Sequence, residues 1–253
     1  MQTLSPRQQS ILNRIIDTHI ETAQPVGSRS ITDLYREIFS DSYSPATVRN
    51  EMGLLEEMGY LTHPHTSAGR VPTDLGYRYY VDHGLQQESF SGDFLHRLAN
   101  DLKNASREIE FLAEKASSLL SSLAEEASLV LMPENKRAKL FLQGASRLLE
   151  KPEFQDLAKM KLLLKALEEK VELMNWLGNR VATAAVSITI GHENEREAFY
   201  DCTVISAVYS THGRMTGALA VIGPRRMKYS RTIPLVRQMA AMIETILDQE
   251  NTE

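Results

Sequence analysis

The 253-residue sequence has a single cysteine, Cys202, and no long hydrophobic run. One cysteine excludes an internal disulfide framework and is typical of proteins in a reducing compartment. No apolar stretch approaches the roughly 18 residues of a membrane span. The N-terminus also lacks the basic and then apolar pattern of a secretory signal. These absences predict a cytoplasmic protein that does not associate with membranes.

Positive charge is also scarce. The chain has a net charge of −5 at pH 7. Its first 83 residues carry seven arginines and no lysine against ten acidic residues, a net charge of −3. Bulk charge of this sign opposes nucleic-acid binding, which usually requires a basic surface. A DNA-binding function must therefore depend on where the arginines lie.

The sequence has little that resembles catalytic chemistry. "IGHENERE" (190–197) places His192 among glutamates, but the spacing is not His-Glu-x-x-His, and a surface loop is the favoured interpretation. Cys202 has no obvious catalytic histidine, so a buried structural thiol is expected. "GPRRMKYSR" (223–231) lacks the glycine pattern of a phosphate loop and indicates a strand-to-helix turn, with contact to an acidic partner as the alternative. We therefore predict no enzyme activity, no metal site and no cofactor.

Residues 1–83 are predicted to form three helices followed by a hairpin. Ser5-Pro6 and Ser44-Pro45 indicate helix starts, because serine caps the first N–H groups and proline suits the first helical position. Ser28 offers a cap for a second helix through about residue 37. Apolar residues at helical spacing predict one buried face on the first helix and one on the third. The face of the first helix is formed by Ile11, Leu12, Ile15, Ile16 and Ile20. The face of the third helix is formed by Val48, Met52, Leu55 and Gly59.

The hairpin follows the third helix. "LTHPHTSAGRVPTD" (61–74) indicates two short strands whose tip, residues 66–70, projects from the core, and Thr73 or Asp74 can cap a closing helix. Helix, helix, helix and hairpin in this order is the plan of a winged helix-turn-helix.

The open face of the third helix combines Ala46, Arg49, Asn50 and Gly53. In a helix-turn-helix the early residues of this helix meet base edges in the major groove. Arg49 suits a bidentate contact to guanine and Asn50 one to adenine, whereas Thr47 and the helix N-terminus suit phosphate. The alternative is an ordinary solvated helix face.

The neighbouring segments favour the DNA interpretation. Arg70, with Ser67 and His65 nearby, stands at a tip of small residues from which it could reach a second groove or the phosphates. Ser28 and Arg29 at the start of the second helix could meet the backbone. The predicted DNA-binding set is Ser28, Arg29, Thr47, Arg49, Asn50, His65, Ser67 and Arg70.

Residues 84–130 indicate a linker and one long helix from 94 to about 128. Its apolar positions alternate spacings of three and four, close to a heptad seam, formed by Leu95, Leu98, Leu102, Ala105, Ile109, Leu112, Ala116, Leu119 and Leu123. Such a seam needs a partner helix, either from this chain or from a second subunit. It is therefore a possible dimer contact.

Residues 131–253 are predicted to form an α+β domain. Residues 136–177 are expected to be largely helical, with a break at Lys151-Pro152. Strands are predicted at 184–191, 202–210 and 215–223, the last two as a hairpin around His212-Gly213, and a final helix is expected from about 232 to 247.

Several of these stretches resemble one known family. "PVGSRSI" and "SPATVRNEMGLLEEMGYLTHPHTSAGRVPTDLGYRYYVD" are similar to the signature region of the heat-inducible transcription repressor HrcA family. "LFLQGASRLLEKPEF", "IGHEN" and "VYSTHGRMTGALAVIGPRRMKYSR" resemble its C-terminal half. The likeness covers most of residues 4–83 and roughly 139–247.

The resemblance implies a repressor of chaperone operons that binds an inverted repeat, the CIRCE element, as a dimer and depends on the chaperonin. It also implies an N-terminal winged helix (1–83), a linking helix (84–130) and a GAF-like regulatory and dimerisation domain (131–253). That domain is expected to be shortened, lacking strands before "LFLQG" and most of a dimerising insertion. The alternative is a winged-helix protein-interaction or effector-sensing regulator unrelated to heat shock.

Overall fold

The computed structural model describes residues 4–38, 43–64, 69–106, 108–134, 137–180, 186–211 and 214–250. The chain divides into two compact units, Met1–Gln86 and Gln87–Glu253. Helices and strands occur in both units, so the molecule is mixed α and β.

In the described residues of the first unit, four α-helices and one pair of strands are present. Its elements are α1 (Pro6–Thr22), α2 (Ser28–Ile38), α3 (Pro45–Glu57), β1 (Leu61–Thr62), β2 (Val71–Pro72), α4 (Asp74–Tyr79) and a π-helical turn (Tyr80–Gly84). The two strands pair antiparallel, with Leu61 opposite Pro72 and Thr62 opposite Val71. The predicted order of helix, helix, helix and hairpin is observed.

Local capping explains where these helices begin. The Ser5 hydroxyl accepts a hydrogen bond from the Gln8 N–H at 3.3 Å, and the Gln8 side chain accepts one from the Ser5 N–H. The Ser44 hydroxyl accepts from the Thr47 N–H at 3.1 Å. These side chains satisfy N–H groups that a helix start leaves without intrahelical partners. The second helix differs from the prediction, because it begins at Ser28 itself.

The buried faces of α1 and α3 match the predicted stripes except at Ile20, which is only partly buried, and at Gly59, which is exposed and follows the end of α3. Four of the five isoleucine and leucine positions of α1 are buried, as are three apolar residues of α3: Ile11, Leu12, Ile15, Ile16, Val48, Met52 and Leu55. Thr73 caps α4, because its hydroxyl accepts from the Gly76 N–H at 3.1 Å and donates to the Gly59 carbonyl at 2.6 Å.

The second unit is built around a five-stranded antiparallel sheet in the order β4-β3-β7-β6-β5. Its strands are β3 (Ala127–Glu134), β4 (Arg137–Gln143), β5 (Val186–Ile190), β6 (Cys202–Thr211) and β7 (Arg214–Pro224). Its helices are α5 (Gly92–Lys103), α6 (Ile109–Ala124), α7 (Ala145–Leu149), α8 (Leu157–Glu168), α9 (Lys170–Arg180) and α10 (Tyr229–Glu250).

Helices cover both faces of this sheet. On one face α6 and α10 pack against β3, β6 and β7. On the other, residues of α7, α8 and α9 share a hydrophobic cluster with alternate residues of the strands, among them Leu129, Ala220 and Val204. The period of two along each strand places these side chains on one face and their neighbours on the other. Within the described ranges, no helix is long and apolar enough to cross a membrane.

The prediction of one long helix from 94 to about 128 is wrong. Helix α5 ends at Lys103, α6 begins at Ile109, and β3 starts at Ala127. The seam residues Leu98, Leu102, Leu112 and Ala116 are buried within the chain. Much of the seam therefore already has its partner in this unit.

The stretch before "LFLQG", where strands of this domain were expected to be missing, contains one. It forms β3, and β4 occupies residues that were expected to be helical. Strand β3 pairs with β4 on one side and with β7 on the other, so that Leu129 lies opposite both Leu142 and Ala220. The predicted strands β5, β6 and β7 and the final helix are confirmed. The residues of the predicted hairpin turn, His212 and Gly213, lie outside the described ranges.

The "IGHEN" segment is a structural turn. Asn194 is fully buried, and its side-chain amide donates to the carbonyls of Gly191, Phe199 and Cys202 at 2.9–3.0 Å. His192 stacks on Tyr200 with ring centroids 4.6 Å apart. The Cys202 side chain is buried, and burial raises the pKa of its thiol far above the usual range, as expected for a structural thiol.

The basic stretch 223–231 carries ion pairs within the unit. Arg226 pairs with Glu153, Arg225 lies 3.5 Å from Asp201, and the Lys228 ammonium lies 3.6 Å from the Glu125 carboxylate. These contacts agree with the predicted strand-to-helix turn, because the stretch links β7 to α10.

Candidate nucleic-acid interface

The outer face of α3 is the most exposed part of the predicted site. Ala46, Arg49 and Asn50 are exposed and Gly53 is partly exposed. Within the described ranges, the side chains of Arg49 and Asn50 have no hydrogen-bond or ion-pair partner. A cation and an amide in this state keep their hydrogen-bonding capacity for a partner outside the chain.

Gly53 gives this face an unusual feature. A Cβ atom added there would have no described atom within 4 Å. Glycine inside a helix costs about 0.5–1 kcal/mol relative to alanine. No close contact within the described part of the chain explains the missing side chain. The helix surface at Gly53 therefore lacks a side chain for which there is space, and a partner surface can approach the helix backbone closely at this point.

The phosphate candidates lie at two helix starts. Thr47 is partly buried in the first turn of α3, and its hydroxyl lies 2.9 Å from that of Ser44. Ser28 and Arg29 are the first two residues of α2, and Arg29 is exposed. Helix N-termini attract anions through unpaired N–H groups and the helix dipole. The start of α2 therefore has the chemistry that a phosphate contact needs, whereas at the start of α3 the Ser44 hydroxyl already accepts the Thr47 N–H and the Thr47 hydroxyl is the group nearest to a phosphate.

Two glutamates of α3 are paired with arginines from other segments. Glu51 lies 3.5 Å from the Arg7 guanidinium. Glu56 accepts from Nε of Arg70 at 3.0 Å, and Nη2 of Arg70 lies 3.0 Å from the same oxygen. These pairs neutralise two carboxylates locally, but the net charge of the unit stays at −3 because both arginines are already counted in it.

Arg70 is not an extended side chain at a hairpin tip, as the sequence suggested. Its side chain is only 15% exposed and lies against Glu56. Its backbone forms two hydrogen bonds with Val26, of 2.8 and 3.0 Å. The neighbouring Gly69 is tightly packed, since an added Cβ would lie 2.5 Å from the Val26 carbonyl. The predicted residues His65 and Ser67 lie outside the described ranges.

Sequence reasoning missed the role of Glu56. Its second carboxylate oxygen lies 3.3 Å from Nε2 of His63, so one carboxylate contacts both arms of the hairpin. His63 directly follows β1, and Arg70 directly precedes β2. The only signal in the sequence was a glutamate in the last turn of α3 near a basic hairpin.

The second unit contains an open groove of about 560 Å³ beside the junction of α5 and α6. Phe111, 56% exposed, lines it with Asn104, Glu108 and Gln143. In the part of the chain that the structure describes, no group of three His, Cys, Asp or Glu side chains could hold a metal ion.

Comparison with known proteins identifies close relatives. The family model described as HrcA protein C terminal domain matches residues 85–233. The heat-inducible transcription repressor HrcA of Shouchella clausii (strain KSM-K16) is 33% identical over 334 residues, covering 94% of this chain and 96% of the relative. The HrcA of Halalkalibacterium halodurans is 29% identical over 341 residues, covering 96% of this chain and 98% of the relative.

A solved structure shares the fold. It is described as a hypothetical protein at 2.2 Å resolution, has a TM-score of 0.78 and 20% identity, and the match covers 98% of this chain and 99% of the other. The sequence alignments span more positions than the 253 residues of this chain, so the relatives contain segments with no counterpart here. Because the family model covers more than half of the chain and the Shouchella relative matches nearly all of it, the chain belongs to the HrcA family of heat-inducible transcription repressors.

Proposed function

We propose that this chain is a DNA-binding repressor of class I heat-shock operons, which encode chaperones. In this proposal its N-terminal unit is a winged helix-turn-helix that binds the CIRCE inverted repeat, and the protein acts as a dimer in the cytoplasm. The observation that supports it best is the outer face of α3, where Arg49 and Asn50 have no partner among the described residues and Gly53 leaves room for close approach.

Base recognition is assigned to α3 in this proposal. Arg49 would donate two hydrogen bonds to a guanine, and Asn50 would pair with an adenine, as the donor and acceptor pattern of the major groove allows. Each such pair contributes about 1–3 kcal/mol of discrimination. Thr47, Ser28 and Arg29 would hold phosphates, and His65 and Ser67 would contact the duplex from the hairpin. Arg70, which is paired with Glu56, would act there without a direct contact. Since the unit is net acidic, we expect weak non-specific binding.

Dimerisation would match the two-fold symmetry of an inverted repeat. Buried seam residues in α5 and α6 are engaged within the chain, but Ile109 and Phe111 are 44% and 56% exposed. These two side chains are the apolar surface that this segment offers a second subunit. Sedimentation velocity at micromolar concentration should show a dimer, and a strict monomer would contradict this part of the proposal.

Control by the chaperonin is assigned to the second unit, which we propose to be GAF-like. This unit contains Glu126, a buried carboxylate whose pKa is raised to about 7, mainly by burial. The Lys151 ammonium lies 3.1 Å from Oε1 of Glu126 and lowers this pKa, but burial outweighs the ion pair, so ionisation of Glu126 lowers stability at neutral pH. If the chaperonin holds this unit folded, its diversion to unfolded clients would release repression by mass action.

Fluorescence anisotropy tests the proposal. The full chain should bind a duplex carrying the CIRCE repeat more tightly than a scrambled duplex of equal length, at two salt concentrations. Arg49→Ala should reduce this preference by about 5- to 150-fold, the equivalent of 1–3 kcal/mol. Arg97→Ala removes an exposed arginine from α5 in the second unit and is the charge-matched control. Equal binding to both duplexes, with or without chaperonin, would favour a protein-interaction or effector-sensing role instead.

A further inference from the structure

We propose that Glu56 is a positioning residue that holds the hairpin against α3 through Arg70 and thereby sets the sequence discrimination of the DNA-binding unit. This inference rests on the proposed function. It assigns Arg70 an indirect role, because its guanidinium is occupied by a carboxylate of the same unit.

The contacts of Arg70 join three segments. Its side chain is bound to Glu56 in the last turn of α3 through Nε and Nη2, both 3.0 Å from the same oxygen. Its backbone N–H and carbonyl pair with those of Val26 in the loop before α2. Arg70 also leads directly into β2 of the hairpin. One residue therefore connects the start of α2, the end of α3 and the return arm of the hairpin.

Glu56 also contacts the outgoing arm. Its other carboxylate oxygen lies 3.3 Å from Nε2 of His63, the residue after β1. Both arms of the hairpin are thus held by one side chain at the point where they leave the strand pair. The two-residue strands cannot fix the hairpin alone, because a short two-stranded hairpin is at best marginally stable in water.

The packing of Gly69 limits how the return arm can move. An added Cβ would lie 2.5 Å from the carbonyl of Val26 and 2.9 Å from that of Pro25. The backbone of the arm therefore lies directly on the loop before α2. This contact and the ion pair with Glu56 together give the arm a defined position relative to α3.

Charge explains why such a link would affect discrimination rather than affinity alone. A guanidinium neutralised by Glu56 adds little to the sequence-independent attraction of phosphates. A correctly placed hairpin instead determines whether its tip and α3 can contact the duplex together. Loss of Glu56 should therefore reduce the preference for the correct sequence while leaving non-specific binding equal or stronger.

The test uses the full chain and the CIRCE and scrambled duplexes. Glu56→Gln removes the charge of the carboxylate and keeps its shape, and Arg70→Gln removes the guanidinium. Each should reduce the ratio of specific to scrambled affinity by about fivefold or more, the equivalent of one misplaced base contact. Asp82→Asn is the matched control, since it removes an ion pair between Arg78 and Asp82 that holds no hairpin residue.

Salt dependence separates an indirect role from a direct phosphate contact. If Arg70 acts through the hairpin, Arg70→Gln should leave the slope of log K against log salt unchanged. A slope that becomes shallower by about 0.9 per half-site would show that Arg70 binds phosphate, and would overturn the inference. The charge-reversed double variant, Glu56→Arg with Arg70→Glu, should restore discrimination at least in part.

Hydrogen exchange supplies a measurement that does not depend on DNA. In Glu56→Gln the amides of Val26 and Arg70 should exchange faster, whereas in Asp82→Asn they should not. An unchanged affinity ratio or unchanged exchange in Glu56→Gln would overturn the inference. If the native chain itself showed no preference between the duplexes, the proposed function would fail, and the assigned role in discrimination would fail with it.

Discussion

Replacing Gly53 by alanine should stabilise the protein and weaken its binding to DNA. The residue lies in the interior of α3, where an added Cβ would meet no described atom within 4 Å. Alanine is favoured over glycine in such a position by about 0.5–1 kcal/mol. Since no neighbour has to move, we expect the full gain in the free energy of unfolding of the first unit.

The same methyl group should interfere with a bound duplex. Gly53 lies four residues after Arg49 and three after Asn50, so the three share one face of the helix. A Cβ between the helix and the groove floor would hold both side chains away from the base edges. Loss of even one well-placed pair corresponds to about fivefold or more in specific affinity.

Two measurements on one variant check this prediction. Amide exchange of the peptide covering α3 should slow by about two- to fivefold, the equivalent of 0.5–1 kcal/mol. Anisotropy should show the weaker binding to the CIRCE duplex. Gly92→Ala is the control, because Gly92 also has open space around its Cβ position but begins α5 in the second unit. Slower exchange with undiminished DNA affinity would refute the assignment of this face to the interface.

Three further predictions concern the second unit. Glu126 has a folded-state pKa of about 7 against an ordinary value near 4.5. Its destabilising effect is therefore absent below pH 4.5 and develops as the pH rises towards 7. In urea unfolding, Glu126→Gln should raise the free energy of unfolding by up to about 3 kcal/mol at pH 8 and by much less at pH 4.5. Equal gains at both pH values would contradict this. Asn194→Ala removes the side-chain amide that donates to the carbonyls of Gly191, Phe199 and Cys202, and it should lower the free energy of unfolding by about 3 kcal/mol or more in the same assay. A decrease below about 1 kcal/mol would show that water replaces the amide. The Cys202 thiol should resist a thiol-specific reagent until the unit unfolds, and rapid labelling of the native protein would be inconsistent with its burial.

Local signals in the sequence were sufficient to predict most helix starts and buried faces of the first unit. Ser5-Pro6 and Ser44-Pro45 specify helix starts through contacts within three residues, and the periodicity of α1 and α3 identifies their buried faces. The exposed face of α3 could then be predicted as the side of the helix opposite its buried face. Strands β6 and β7 could equally be predicted from the sequence, because two apolar runs that contain β-branched residues are separated by His212-Gly213.

Non-local contacts explain the errors. Residues 127–134 form a short apolar run that fits a helix or a strand, and the leucines before it continued a helical spacing. Pairing with β4 on one side and with β7, about 90 residues further along, on the other makes this run a strand. The link between Glu56 and Arg70 likewise depends on how the hairpin folds back onto α3, so an arginine that looked like a tip residue is paired within the unit.

The most direct test of the account is a base-by-base measurement of specificity. Anisotropy competition with single-base-pair variants of one CIRCE half-site would be compared for the native chain, Arg49→Ala, Asn50→Ala and Arg97→Ala. The account predicts that Arg49→Ala loses discrimination at one G·C pair and Asn50→Ala at one A·T pair, each by about 1–3 kcal/mol, while Arg97→Ala keeps the native profile. Uniform weakening at every position in the α3 variants, with no base-specific loss, would contradict it.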